Sequence, residues 1–301
     1  PVDAEGLLRL VEHLGLKSSS RPFVANPPVT DADTWPYPQI RQAVIVPLAE
    51  GDNVFGWLAA INHVDGNKKY GDVQIGRGEF GTVEASLLSS VGAILGIHSG
   101  NIDLYRQQAE MFSGVVRALT SVIDAKDRYT RGHSDRVARI AVRLASEIGC
   151  PEETLKSIYL AGLLHDIGKI GIDDQVLRKP GKLSDEEYEH IKSHVEIGYR
   201  ILFDLKQMDD VLPVVLYHHE AWDGGGYPHR LPREEIPLAA RIVAVADSYD
   251  AMSSDRPYRK GMPEERIDEI FREGSGTQWD PQVVEAFYAA RDDICQIADH
   301  Q

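Results

Sequence analysis

Two histidine-containing segments place the strongest constraint on what this chain can fold into. Residues 165–169 read His-Asp-Ile-Gly-Lys, and residues 218–228 place two adjacent histidines before three glycines and a Tyr-Pro pair. Imidazole and carboxylate groups bind first-row divalent metals such as iron, manganese or zinc, and a carboxylate can bridge two ions whereas an imidazole cannot. The two segments therefore predict a metal site assembled from different parts of the fold.

Both segments match the motifs of a known family without a substitution. Residues 165–169 fit His-Asp-x-Gly-Lys, and residues 218–228 fit His-His-Glu-x-x-Asp-Gly-x-Gly-Tyr-Pro. On these motifs the chain, from about residue 124 to residue 290, resembles the HD-GYP phosphodiesterases, which hydrolyse the bacterial second messenger cyclic di-GMP. The longer pattern is highly specific, whereas a lone His-Asp pair is not. The resemblance implies an all-α HD-type helical bundle, which we assign to residues 124–301.

The composition limits the classes of molecule that the chain is expected to bind. The chain has 301 residues, enough for two domains, and its 43% hydrophobic and 26% charged residues are ordinary for a soluble globular protein. A net charge of −15 argues against binding to a nucleic-acid polymer, so an anionic substrate must be met by local cations. Only two cysteines occur, and no apolar run approaches the roughly 20 residues of a membrane helix. We expect a cytoplasmic protein without a membrane segment in the chain shown.

The N-terminal part has strand signals. Residues 43–48 and 54–61 are apolar runs joined by a polar, glycine-containing turn, which predicts a hairpin in an antiparallel sheet. The Pro-Leu end of the first run, the second run and the helix after it resemble the C-terminal half of a GAF sensory domain. We therefore expect an α+β GAF-like domain over residues 1–100, made of an antiparallel sheet with helices.

A helical segment follows the sheet. Between about residues 84 and 123 the apolar residues recur at helical spacing. They are Leu87, Leu88, Val91, Leu95, Leu104, Met111, Val115, Leu119 and Val122. Glycines at 96 and 100 predict two helices or one bent helix, with residues 101–123 linking the domains. Two interpretations stay open: a helix buried against its own domain, or a parallel two-helix seam that joins two protomers and carries the sensor's state to the second domain.

The remaining sequence is almost entirely helical in pattern, and no strand is apparent in it. One helix is predicted over residues 134–148, ending at Gly149, with Pro151 opening the next. Ser184 and Glu187 form a capping-box pattern, which predicts a helix that runs on through Ile201.

The family resemblance also implies a ligand set. Matched position by position, the metal ligands are His133, His165, Asp166, His194, His218, His219 and Asp247. Asp166 is the natural bridging carboxylate. Taken alone, His133 or Asp247 would more often be a helix cap or a structural acid. His190 lies one helical turn before His194 on the same face, and the family match favours His194 as the ligand.

The number of ions depends on one departure from the family. Some members carry a glutamate four residues before the position of His133 and hold three metals, whereas this chain has Tyr129 there. A phenol with a pKa near 10 is a poor replacement for a bridging carboxylate. We expect two divalent ions, iron or manganese, with a third left open.

Substrate contacts are implied by the same resemblance. Lys169 is expected to contact a phosphate oxygen, and Arg256 and Arg259 supply further cations near the site. Tyr227 and Gly225 belong to a loop that borders the substrate pocket in the family and is viewed as a docking surface for diguanylate cyclase domains. Asp166 and Lys169 are the predicted catalytic residues. Asp250 either orients a ligand or caps an arginine.

The implied function is hydrolysis of cyclic di-GMP to pGpG and, in many members, onward to GMP, regulated by the GAF-like domain. One alternative is another cyclic dinucleotide such as 3′,3′-cyclic GMP-AMP, since the motifs do not separate substrates that differ in one base. A second alternative is a catalytically silent module that binds a nucleotide or a cyclase partner. The complete ligand set and Lys169 argue against the silent module.

Overall fold

The computed structural model describes residues 3–19, 21–26, 40, 42–51, 53–62, 79–126, 132–255 and 260–299. The chain divides into two compact units, Pro1–Met111 and Phe112–Gln301. The division falls within residues 101–123, the segment predicted to link two domains.

The first unit contains a three-stranded antiparallel sheet. Helix α1 (Ala4–His13) begins where the Asp3 carboxylate accepts a hydrogen bond from the Gly6 backbone N–H at 2.8 Å. The strands are β1 (Phe23–Ala25), β2 (Ala43–Glu50) and β3 (Asn53–Ile61), in that order across the sheet. Strands β2 and β3 pair from Ala43 opposite Ile61 to Glu50 opposite Asn53, which confirms the predicted hairpin.

Successive side chains of β2 are buried on opposite faces of the sheet. Ala43 and Ile45 pack with Leu10 and Val11 of α1, whereas Val44 and Val46 form a cluster with Phe80 on the other face. Successive side chains of a strand point to opposite faces, so one continuous apolar run can serve two cores.

Helix α2 (Thr82–Lys126) is a single continuous α-helix. The predicted alternative of two helices is wrong, because Gly96 serves close packing instead of a break. A Cβ on Gly96 would collide with the backbone of Ala49 in β2. Further along, Val116 and Ile123 are buried in the core of the second unit, while Leu104 and Met111 are exposed. One face of α2 is therefore buried against its own chain, and another is not.

The second unit is helical. Its core is built from buried aliphatic and aromatic side chains, among them Leu144, Leu164, Ile242, Phe271 and Phe287. The described residues of this unit contain no strand, which confirms the predicted helical bundle. Its helices after α2 are α3 (His133–Ile148), α4 (Glu152–Leu164), α5 (Asp174–Leu177), α6 (Asp185–Lys192), α7 (His194–Leu202), α8 (Leu212–Tyr217), α9 (Leu238–Ser253), α10 (Glu264–Gly274), α11 (Pro281–Ala289) and α12 (Arg291–Asp299).

The capping box at Ser184 is confirmed, but the length of the helix that it opens is not. Ser184 accepts from the Glu187 N–H, and the Glu187 carboxylate accepts from the Ser184 N–H. The prediction of one helix through Ile201 is wrong because a turn at Ser193 separates α6 from α7. There the Ser193 hydroxyl donates to the His190 carbonyl at 2.6 Å, a local bond that competes with the helical pattern.

Among the described helices, α2 alone is long and apolar enough to cross a membrane, judged by length and composition only. Within α2, 17% of the 18-residue stretch that meets this test is buried in the chain.

Candidate metal centre

Four helix ends and the middle of α9 bring the seven predicted ligands together in two groups. The first group consists of His133, His165 and Asp247, and the second of Asp166, His194, His218 and His219. Within each group, one ligand atom per residue lies within 4.8 Å of the others. His133 and His194 are the first residues of α3 and α7, Asp247 lies in α9, and the other four residues directly follow α4 or α8.

A glycine in the first motif permits this convergence. A Cβ on Gly168 would overlap the carbonyl oxygen of His194 and press on the backbone of Gly198. The segment after Asp166 can therefore lie directly against α7 only because residue 168 has no side chain. This close packing brings the His165-Asp166 pair next to His194.

Asp166 stands between the two groups. Its Oδ2 atom is 3.4 Å from His165 Nε2 and 3.9 Å from His133 Nε2, while its Oδ1 atom is 3.5 Å from His194 Nε2. Asp247 Oδ1 is 3.3 Å from His133 Nε2 and 3.9 Å from His165 Nε2. The two oxygens of one buried carboxylate thus face two different sets of imidazoles.

Backbone carbonyls orient three of the imidazoles. Nδ1 of His165, His194 and His218 lies 2.8, 2.7 and 3.0 Å from the carbonyl oxygen three residues earlier. A carbonyl can only accept, so Nδ1 carries the proton and Nε2 presents its lone pair to the centre. In His165 this Nε2 is fully buried and has no hydrogen-bond partner among the described residues. A buried acceptor left unpaired costs about 1–3 kcal/mol, so the donor set fits a cation at this place.

Burial and charge set the protonation of the remaining ligands. Burial opposes ionisation of Asp166, but the adjacent Lys169 ammonium outweighs burial and holds the pKa of the Asp166 carboxyl well below the ordinary value. The pKa of Asp247 is likewise lowered, through His133. Burial lowers the pKa of His194 and His218 and lowers that of His219 to about 3. Anionic carboxylates and neutral imidazoles are the forms that bind metal.

His133 differs from the other imidazoles. Burial opposes its charge, but hydrogen bonds to Asp247 and Asp250 outweigh burial and raise its pKa to about 9. Without a metal His133 is therefore protonated at neutral pH. If His133 held a divalent ion, binding would have to release that proton.

Asp250, left open between orienting a ligand and capping an arginine, contacts both His133 and Arg136. Its Oδ2 lies 2.7 Å from His133 Nδ1, and its carboxylate accepts from Arg136 Nε at 2.5 Å and Nη2 at 3.0 Å. Asp250 is 1% exposed, and Arg136 balances its charge. The carboxylate thus fixes the ring of His133, as carboxylates behind metal-binding histidines do.

Replacing Asp250 with asparagine should weaken metal binding by roughly 10–100-fold, because the side chain keeps its size but loses the charge that orients His133. Metal titration measures this, with Glu147→Gln at an exposed position of α3 as the control. Circular dichroism of the metal-free variant checks that the helices persist. Equal metal affinity for the two variants would contradict a positioning role.

His190 lies outside both groups of ligands. It is part of α6, and its Nε2 accepts from the Asp173 backbone N–H at 3.3 Å. His194, by contrast, is 1% exposed and belongs to the second group.

The two histidines provide a matched pair of substitutions. His194→Ala should lower metal affinity at least about 100-fold, more than the roughly 10–100-fold that loss of a residue orienting a ligand costs, and His190→Ala should leave the affinity unchanged. Elemental analysis after dialysis against limiting metal distinguishes them. Metal loss in His190→Ala with retention in His194→Ala would show that the ligand assignment is wrong.

The lysine of the first motif touches the bridging position. Lys169 Nζ is 2.5 Å from Asp166 Oδ2, and its side chain keeps 19% of its surface exposed. It belongs to the short 3-10 helix Ile167–Gly171 that follows the His-Asp pair. An ammonium group therefore lies beside the candidate ligand oxygens with access to solvent.

The glycine loop folds back over the tandem histidines. Tyr227 stacks on His219 with ring centroids 4.9 Å apart, and its backbone N–H donates to the His219 carbonyl at 3.2 Å. Gly225 N–H donates to Asp223 Oδ1 at 2.8 Å. Burial raises the pKa of the Tyr227 phenol, which therefore stays neutral at physiological pH.

Glu220 holds this loop closed. It is buried, and its carboxylate accepts from the backbone N–H of His229 at 2.7 Å and of Leu231 at 3.1 Å. Glu220 was not among the residues predicted from the sequence. Its place in the second motif, directly after the tandem histidines, was the available signal.

Cavities lie on both sides of the loop. One of about 530 Å³ is lined by His219 and Asp247 of the centre, by Tyr227, and by Thr277 and Gln278. A second, also of about 530 Å³, is lined by Tyr188, Lys192, Tyr227 and Arg230. Lys192 Nζ lies 4.6 Å from the ring centroid of Tyr188 and 5.5 Å from that of Tyr227. Tyr188, Lys192 and Gln278 were not singled out in the sequence.

Three residues of the sequence analysis lie outside the described residues. They are Tyr129, Arg256 and Arg259.

The part of the chain that contains both ligand groups is similar to known proteins. Residues 117–283 match a protein family described as HD domain. A cyclic di-GMP phosphodiesterase of Thermotoga maritima is 41% identical over 202 residues, which cover 65% of this chain and 54% of that protein. A cyclic di-GMP phosphodiesterase of Pseudomonas aeruginosa is 43% identical over 187 residues, covering 60% and 45%.

A relative with another named substrate is also similar. The 3′3′-cGAMP-specific phosphodiesterase 2 of Vibrio cholerae is 35% identical over 221 residues, which cover 73% of this chain and 42% of that protein. The chain spans about half the length of the curated relatives that it matches.

Proposed function

The chain belongs to the HD domain family, and on that premise we propose that it is a metal-dependent phosphodiesterase that hydrolyses cyclic di-GMP. The observation that carries the proposal is the position of Asp166, whose two oxygens face two separate groups of metal-type ligands. The curated relatives named for this activity support the choice of substrate.

The ligand assignment follows from the two groups. His133, His165 and Asp247 would hold one ion, and His194, His218 and His219 the other, with Asp166 shared between them. When bound, such a pair of divalent ions lowers the pKa of a water molecule and stabilises charge on the phosphoryl oxygens. Iron or manganese is our proposal for the native metal, because imidazole and carboxylate together suit both ions.

The protein's own side chains would bind and orient the substrate. Lys169 places a positive charge beside Asp166, where a non-bridging phosphate oxygen would lie, and Arg256 and Arg259 would neutralise the remaining phosphate charge. Tyr227 and Gly225 form a wall of the cavity that opens onto His219 and Asp247. Its volume of about 530 Å³ is within the usual range for a small-molecule site.

Anaerobic purification followed by hydrolysis assays tests the proposal. The metal-loaded protein should convert cyclic di-GMP to pGpG or GMP, resolved by chromatography, and a chelator should abolish turnover until manganese or iron is restored. A protein with both ligand groups filled that hydrolyses no cyclic dinucleotide would contradict the proposal and favour a silent binding module.

A second candidate substrate is 3′,3′-cyclic GMP-AMP, favoured by the similarity to the cGAMP-specific enzyme of Vibrio cholerae. The two dinucleotides differ in one base, so the metal centre would treat their phosphates alike. Parallel assays that compare kcat/KM for the two substrates separate the candidates.

Metal stoichiometry is a further expected result. With Tyr129 in place of a carboxylate, a third ion would lack an anion to offset repulsion by two neighbouring cations, so we expect about two metals per chain by elemental analysis. Tyr129→Glu should raise occupancy of a third site, with Tyr129→Phe as the control. Three ions per chain in the unmodified protein would refute this expectation.

The remaining parts of the proposed function concern regulation. We propose that residues 1–100 form a GAF-like sensor, supported by the three-stranded antiparallel sheet, and that residues 101–123 link it to residues 124–301. We further propose that the chain forms a homodimer through this linker helix. The loop around Tyr227 would dock diguanylate cyclase domains, and the protein would be cytoplasmic. The exposed face of α2 supports the homodimer.

A further inference from the structure

The cavity that opens onto the metal centre has one wall made by two paired segments of backbone. The Trp222 N–H donates to the Gln278 carbonyl at 3.2 Å, and the Asp223 N–H donates to the Thr277 carbonyl at 2.8 Å. The side chains of Asp223 and Gln278 both line this cavity of about 530 Å³. A carboxylate from the glycine loop and an amide from the segment before α11 therefore belong to the same surface.

This wall is anchored to the helix that carries a candidate metal ligand. Trp279, next to Gln278, is buried, and its Nε1 donates to the Ser248 hydroxyl at 3.2 Å. Ser248 directly follows Asp247 in α9. Because one helix holds both the ligand and the anchor, the polar side chains of the wall keep a set position beside the centre.

Several polar groups of the cavity are already used by the fold. The Glu220 carboxylate accepts from two backbone N–H groups, and the Thr277 hydroxyl donates to a backbone carbonyl. Oδ1 of Asp223 accepts from the Gly225 N–H at 2.8 Å. Among the described residues, Oδ2 of Asp223 and the side-chain amide of Gln278 have no hydrogen-bond partner. These two groups are available to a ligand.

A carboxylate beside an amide matches the hydrogen-bonding edge of guanine. Guanine presents two adjacent donors, the N1–H and the 2-amino group, and then an acceptor, O6. A carboxylate accepts from both donors, and an amide NH₂ group donates to O6. Adenine presents an acceptor at N1, which a carboxylate repels because it has no proton to donate. An amide can turn over to serve either purine, so the carboxylate is the selective group.

The same cavity has aromatic walls. Tyr188 and Tyr227 both line it. Proteins that bind unpaired nucleobases stack the base on an aromatic ring and read its edge by hydrogen bonds. The cavity therefore combines the two parts of a purine site next to the metal centre.

We propose that Asp223 selects guanine as the base beside the metal centre, by accepting hydrogen bonds from its N1–H and 2-amino group while Gln278 donates to O6. The inference rests on the proposed hydrolysis of cyclic dinucleotides. It adds which base lies next to the centre and which residue selects it. A cyclic dinucleotide with a single guanine would then bind in one orientation.

Equilibrium binding of mononucleotides to the metal-loaded protein tests the selection without turnover. GMP should bind roughly 10–100-fold more tightly than AMP, and IMP, which lacks the 2-amino group, should bind with intermediate affinity. Asp223→Asn keeps an acceptor for the Gly225 N–H but loses the charge and the second acceptor, so the preference should disappear. Asp209→Asn, at an exposed carboxylate of the same unit, is the matched control and should keep it. Gln278→Leu should weaken GMP and AMP to a similar degree.

Two results of these titrations would overturn the inference. One is equal affinity of the unmodified protein for GMP, IMP and AMP, a comparison that needs no variant to fold. The other is a guanine preference that survives in Asp223→Asn, which would reduce Asp223 to shaping the glycine loop.

The products of 3′,3′-cyclic GMP-AMP provide a second readout. Hydrolysis of one of its phosphodiester bonds gives pGpA, and hydrolysis of the other gives pApG. With guanine held beside the centre, the same bond meets the metals each time, so chromatography of early time points should show one linear product in about tenfold excess or more. Asp223→Asn should bring the two products closer to equal amounts.

The two proposals fail in different ways. Equal amounts of both linear products from the unmodified protein would overturn guanine selection and leave the phosphodiesterase in place. A guanine preference in the titrations without hydrolysis of any cyclic dinucleotide would support the selection by Asp223 and contradict the phosphodiesterase proposal alone.

Discussion

Replacing Asp166 with alanine is expected to abolish hydrolysis and to strip metal from the protein. Turnover should fall at least about a hundredfold, the scale of damage to a ligand shell, and more if both ions are lost. The reason is geometric. Oδ1 of Asp166 faces His194 and Oδ2 faces His165, so removal of one carboxylate takes an anionic ligand from both groups.

Two variants make this result specific. Asp166→Asn keeps the volume and one acceptor oxygen, so it separates loss of charge from loss of shape. Asp209→Ala removes an exposed carboxylate from the same unit and should change neither metal content nor turnover. Elemental analysis and initial rates measured on the same preparation are needed. Full metal content with near wild-type turnover in Asp166→Ala would refute the shared-ligand assignment.

The candidate ligands could be named from the sequence because metal binding demands particular residue types. Few side chains besides His, Asp, Glu and Cys bind divalent transition metals. The residue types of segments 165–169 and 218–228 are therefore enough to indicate metal binding. The hairpin of β2 and β3 was predictable for a similar local reason, since apolar runs flanking a glycine turn leave few other solutions. These signals lie within short stretches of chain.

The supporting contacts could not be predicted in this way. Asp250 contacts His133 and Arg136 across more than a hundred residues of sequence, and a carboxylate on a helix has no local feature that names its partners. The continuity of α2 through Gly96 depends on the approach of β2, which is a tertiary contact. The turn at Ser193 depends on the hydrogen bond that the Ser193 hydroxyl donates to the His190 carbonyl. Each outcome was decided by packing that the sequence pattern does not contain.

Replacing Lys169 with alanine is expected to lower turnover by roughly a hundredfold or more while both ions stay bound. The ammonium group would stabilise charge that develops on the phosphate, and removal of one such preorganised donor has effects of this size. It holds no ion itself, since a protonated lysine has no lone pair to give. A loss expressed mainly in kcat, with KM little changed, would mark a contact that strengthens in the transition state.

The contact between Lys169 and Asp166 offers a competing explanation for such a loss. Lys169 Nζ lies 2.5 Å from Asp166 Oδ2, so the lysine could act only by holding the carboxylate in place. That role predicts that metal content falls together with activity in Lys169→Ala. Lys169→Met keeps the length of the side chain without its charge, and Lys182→Met on the exposed surface is the matched control. Full metal content with lost turnover supports phosphate contact. Joint loss shows that Lys169 acts by holding Asp166 in place. Unchanged metal and turnover show that Lys169 has no role in the reaction, because an ammonium group that binds substrate phosphate cannot be removed without effect.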